Sequence, residues 1–82
     1  MIFDRRKKEI IRLIKGGKIL RALALLKEIV AKEPSNIEMR IEMARIYFKL
    51  GDLHNTRVAL KECLSYRLSR EAVSKILEIF QL

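Results

Sequence analysis

The sequence predicts an all-α fold of antiparallel helix pairs, five helices in all, and three observations predict it. The stretch Leu13 to Glu28 returns thirty-four residues later as Tyr47 to Glu62, with Lys15, Gly17, Leu26, Lys27 and Glu28 unchanged as Lys49, Gly51, Leu60, Lys61 and Glu62. Self-similarity at a period of this length is the mark of stacked helical hairpins. The second observation is punctuation: Gly16-Gly17, Pro34-Ser35, Gly51-Asp52 and Arg67-Leu68 interrupt the helical patterns. The third is that apolar residues between those breaks recur at helical spacing and cover more than one face, as they do in helices packed on two sides.

The elements follow in order. Asp4 is a plausible cap for a first helix carrying Ile10, Leu13 and Ile14, which Gly16-Gly17 ends. A second helix from Lys18 to Glu33 has apolar residues too widely spread for one-sided cover, among them Leu23, Leu26 and Val30, and stops at Pro34. Ser35 with Glu38 three residues on reads as a capping box opening the third helix, closed in turn by Gly51. Asp52 caps a fourth helix, which ends near Tyr66, and Ser69 caps the last.

Composition narrows the function. The chain has 82 residues, half of them apolar and a third charged, enough for a small core in one domain spanning residues 1–82. One cysteine, Cys63, and one histidine, His54, make neither an internal disulfide nor a metal site. Gly16-Gly17-Lys18 lacks the upstream glycine and following hydroxyl of a phosphate-binding loop. The reading is a non-enzymatic protein with no catalytic residue, no metal and no cofactor. No apolar run is long enough to cross a membrane, and charge at Asp4 to Glu9 breaks any secretory leader, so a cytoplasmic location is expected. The formal charge is +8, and residues 1–33 hold ten Lys/Arg against four Asp/Glu. Such an excess is a solvated face or an attractor of acidic peptides, nucleic acid or anionic lipid.

Through these residues the chain resembles the tetratricopeptide repeat family, whose units are antiparallel helix pairs of thirty-four residues. Met43, Ala44 and Tyr47, then Thr56, Leu60 and Cys63, fall in the family's large and small packing slots of a second repeat, residues 37–70. A first repeat, 3–36, matches through Leu13, Gly17, Ala22, Leu26 and Pro34 but departs at Glu9 and Ile10, and Arg6 and Arg40 replace the family's aromatic residue. Residues 69–82 stand as a capping helix. The resemblance implies a right-handed superhelical array. It also implies a concave groove, lined by the first helix of each pair, that binds a peptide or a partner's helix.

Helical spacing then assigns to that groove Lys7, Lys8, Ile11 and Lys15 from the first helix, Ile41, Arg45, Phe48 and Lys49 from the third, and Lys75 from the last. An apolar floor with basic edges suits an acidic or amphipathic partner. The plainer reading of Ile41 and Phe48 is core. Binding of nucleic acid or an anionic membrane through Arg5-Arg6-Lys7-Lys8 is the rival reading, and a self-associating scaffold fragment is the third. The array amounts to roughly two and a half units, short of the three or so that usually suffice. If Val73, Leu77 and Phe80 pack on the fourth helix, then Ala72, Ile76 and Ile79 face outward, and a homo-oligomer is expected to cover them.

Overall fold

The computed structural model describes residues 2–79, with side chains described from Arg5 onward. It contains five helices: α1 (Ile2–Lys15), α2 (Ile19–Lys32), α3 (Ile37–Lys49), α4 (Leu53–Cys63) and α5 (Arg70–Ile79). No strand occurs among the described residues. Consecutive helices pack as hairpins, α1 on α2 and α3 on α4, with α2 also packed on α3. α3 is packed on three sides, by α2, α4 and α5, which explains why its buried residues, including Met39, Ile41, Met43, Ala44 and Ile46, surround the helix instead of forming one stripe.

The two glycine turns are copies of each other. Gly17 N–H donates to the Ile14 carbonyl and Lys18 N–H to that of Leu13; thirty-four residues later, Gly51 donates to Phe48 and Asp52 to Tyr47. Both glycines are left-handed, at φ 78° and 77°. The pattern closes a helix with two otherwise unmatched carbonyls satisfied, and it needs a residue without a Cβ penalty at that φ.

Small residues at the helix crossings allow close approach, and Ala22, Ala44, Ala59, Thr56 and Cys63 are all buried there. Thr56 satisfies its hydroxyl by donating to the Asp52 carbonyl at 2.8 Å. Cys63 is likewise a packing residue. Burial pushes its thiol pKa up, away from the reactive thiolate, although Arg40 opposes the shift.

The structure corrects several local expectations. α1 already runs through Asp4, so Asp4 is not its N-cap. Asn36, not Ser35, caps α3, its side chain accepting from the Met39 N–H at 3.2 Å; Asn36 N–H in turn donates to the Glu33 carbonyl, which holds the chain one residue longer in the turn. Glu38 faces Lys7 and takes no part in a capping box. α4 ends at Cys63, three residues before Tyr66, in a tight turn through Leu64 to Tyr66. Asp52 and Ser69 cap α4 and α5 as expected, accepting from Asn55 N–H and Ala72 N–H at 3.1 Å each.

The largest correction concerns α5. It packs on α3, with no comparable contact to α4. Ile79 is buried, and Ala72 and Ile76 pack against the core. Ala72, Ile76 and Ile79 are thus the inward face of α5 and not the outward one expected. Val73 and Leu77, expected to meet α4, are exposed; Phe80 lies outside the described residues. The physical reason is that α5 carries two adjacent apolar stripes, and the one that meets α3 joins an existing core containing Ile41 and Ile46.

Candidate functional site

α1, α3 and α5 share one side of the molecule and enclose a depression of about 320 Å³. α1 contributes Lys7 and Ile11 above the buried Ile10; α3 contributes Glu42 and Arg45 beside the buried Met39; α5 contributes Lys75 and Glu78. Each of these helices is aimed by what lies behind it. Lys7 and Ile11 flank Ile10, which the core holds, and Arg45 sits between Ala44 and Ile46, both buried.

A second depression, also about 320 Å³, continues along α3 through Phe48 and Lys49, with Arg45, Glu78 and Ile79 shared between α3 and α5. A smaller one of about 180 Å³ lies toward the other end, where Ile37, Glu38 and Ile41 meet Ala72 and Lys75.

Of the nine expected groove residues, Lys7, Ile11, Arg45 and Lys75 converge on the central depression, and Phe48 and Lys49 on its continuation. Ile41 is 1% exposed, so it is floor and not a contact surface. Lys8 and Lys15 are exposed on α1 but stand outside these depressions. Phe48 is half-buried and also borders a groove on the α4 side. The apolar floor owes most to Ile10 and Met39, which the sequence reading did not assign to the site. The signal for Ile10 was its position directly beside Ile11 at helical spacing from Lys7.

The edges are not simply basic. Lys7 Nζ lies 2.6 Å from Glu38 Oε1, and Lys75 Nζ lies 3.9 Å from the same oxygen. Arg45 stands between two carboxylates, 3.9 Å from Glu42 and 3.8 Å from Glu78. The site is therefore a row of alternating charges over an apolar floor. The expected basic rim fails because α3 and α5 bring their own acids to the same face. The Arg45 contacts exceed hydrogen-bond length, so they hold the guanidinium only weakly.

Two other ion pairs lock the hairpins away from the groove. Arg6 pairs with Glu33, which holds the Glu33 carboxyl below its usual range, with a further hydrogen bond from Asn36. Arg40 pairs with Glu62 at 2.6 Å. Among the described residues, no cluster of three or more His, Cys, Asp or Glu is placed to hold a metal ion, and no helix is long and apolar enough to cross a membrane.

Helical hairpins repeated at thirty-four residues, with identical glycine turns and a face built from the first helix of each pair, define the class as a helical-repeat protein. A family model described as Tetratricopeptide repeat matches residues 13–54, half of the chain, and the chain belongs to that family. Comparison with curated proteins and with solved structures finds no match. The matched segment runs from the end of α1 to the start of α4 and includes both glycine turns.

Proposed function

We propose that the face formed by α1, α3 and α5 binds a peptide or helix of a partner protein. The observation that carries this reading is the convergence of Lys7, Ile11, Arg45 and Lys75, from three helices, on one depression floored by Ile10 and Met39. Family membership supports a protein-interaction module in kind. The partner's apolar side chains meet Ile11 and the Phe48 end of the groove. Its carboxylate takes Arg45, whose existing partners stand too far off to form good hydrogen bonds. A partner of mixed charge also fits, because Glu38, Glu42 and Glu78 offer acceptors for its lysines or arginines.

Fluorescence anisotropy tests the reading with a labelled amphipathic helical peptide whose leucines are flanked by glutamates. Arg45→Glu and Ile11→Asp change residues at the surface and should weaken binding at this face by roughly tenfold each while leaving the melting temperature nearly unchanged. Binding that ignores both substitutions removes the proposal.

One observation favours a second reading. Arg5, Lys8 and Lys15 are exposed on α1 and form no ion pair among the described residues. They make a cationic stripe suited to phosphate groups of nucleic acid or lipid. Against it, Arg12 is paired with Glu9 on the same helix. A steep loss of affinity with added salt identifies this mode; groove binding is much less sensitive.

A further inference from the structure

The surface beside α4 is an open copy of an interface that the chain closes elsewhere. On α2, which packs against α3 as well as α1, Leu26 and Val30 are 0% and 9% exposed, and Val30 stands beside Met43 and Tyr47 of α3. Their counterparts thirty-four residues on, Leu60 and Leu64, have no such cover; Leu60 is half-buried and Leu64 is 69% exposed. Leu53, the counterpart of Ile19, is 60% exposed. α5 would cover this stripe if it sat on α4 as α3 sits on α2, but it packs on α3 instead. What remains is a groove of about 580 Å³ bounded by Phe48, Leu53, Leu60 and Leu64, with Arg57 and Lys61 along one side.

We infer that this groove is a second docking site, sharing Phe48 with the α1–α3–α5 face but otherwise built from α4, and that it takes an acidic, amphipathic helix of a partner protein. The chain itself shows that a helix fits such a stripe, since α3 fills the equivalent place on α2. The charge of the occupant follows from the lining. Arg57 stands where the closed interface has Leu23, no carboxylate lines the groove, and neither Arg57 nor Lys61 forms an ion pair among the described residues. A bound helix with leucine-like residues on one stripe and carboxylates beside it satisfies both features.

A second copy satisfies them poorly. The chain carries +8, so copies repel. Its spare apolar stripe, Val73 and Leu77 on α5, is flanked at helical spacing by Arg70 and Ser74, whereas Glu71 and Glu78 lie on another side of that helix.

The test uses the full chain and two peptides, the glutamate-flanked helix and the same helix with lysines in place of the glutamates. The wild type should bind the glutamate peptide roughly tenfold more tightly than the lysine peptide. Arg57→Glu/Lys61→Glu should invert that preference, and Leu53→Asp/Leu64→Asp should abolish binding of both here. NMR shift changes should appear on α4 as well as on the α1–α3–α5 face, and those on α4 should survive Arg45→Glu, which separates the two sites. Three results overturn the inference: shift changes confined to α1, α3 and α5; a wild-type dimer in sedimentation that Leu53→Asp/Leu64→Asp dissolves; or contacts between Leu77 and Leu64 in the free protein, which would mean that α5 itself fills the groove.

Discussion

The guanidinium of Arg40 meets the carboxylate of Glu62 at 2.6 Å and ties α3 to α4. Arg40 is buried, and the rest of its head is also used: Nε donates to the Pro34 carbonyl at 2.6 Å, and the group lies 5.7 Å from the centre of the Tyr66 ring. Thirty-four residues earlier, Arg6 also pairs with a glutamate, but with Glu33 just past the end of α2 and not with Glu28, the counterpart of Glu62. In both units an arginine stands where the family carries an aromatic residue. It replaces an apolar plug with a charged clasp, which reaches α4 itself from Arg40 and the residue that ends α2 from Arg6.

Removing the clasp should be costly. Arg40→Ala leaves the Pro34 carbonyl and Glu62 without their donor and opens a gap beneath Tyr66, so urea unfolding should show a loss of about 2–3 kcal/mol. Glu62 is half-exposed and regains water, which keeps the figure below that of a fully buried pair. A loss under about 0.5 kcal/mol would mean the clasp contributes geometry without stability.

Gly17→Ala and Gly51→Ala should each destabilise by about 1–2 kcal/mol, because both positions need a left-handed backbone. A Cβ would meet nothing within 4 Å at either site, so the penalty is purely conformational. Asparagine should therefore cost less than alanine at both. Thermal melts of the four variants check this, and equal losses for Ala and Asn would point to a different cause.

Acid should weaken the start of α4. The Asp52 carboxylate accepts from the Asn55 side chain and from the Asn55 N–H, and these bonds hold its pKa below the usual value. A carboxylate depressed in the folded state stabilises fully above its ordinary pKa and loses that contribution as pH falls through the folded value. The loss therefore lies at and below the ordinary carboxylate range, not near neutrality. Asp52→Asn keeps an acceptor for the cap but cannot titrate, so its stability should fall less than that of the wild type between neutral and strongly acidic pH. Parallel curves would show that Asp52 does not contribute to the acid response.

What the sequence alone determined is what depends on near neighbours in the chain. Gly17 and Gly51 announce left-handed turns because nothing else tolerates that backbone cheaply. Asp52 and Ser69 announce caps because their acceptors reach only three residues on. Ala22, Thr56 and Cys63 announce close helix crossings because their volume is small. What tertiary structure decided is which of two equally apolar stripes α5 would bury and what charge would surround Arg45. Residue for residue, Ala72, Ile76 and Ile79 are no more hydrophobic than Val73 and Leu77. The choice between them is made by whether α3 or α4 lies closest, a difference between packings far apart in sequence. In the same way, Glu42 beside Arg45 is legible three residues back along α3, whereas the second carboxylate, Glu78, comes beside it only when α5 packs on α3.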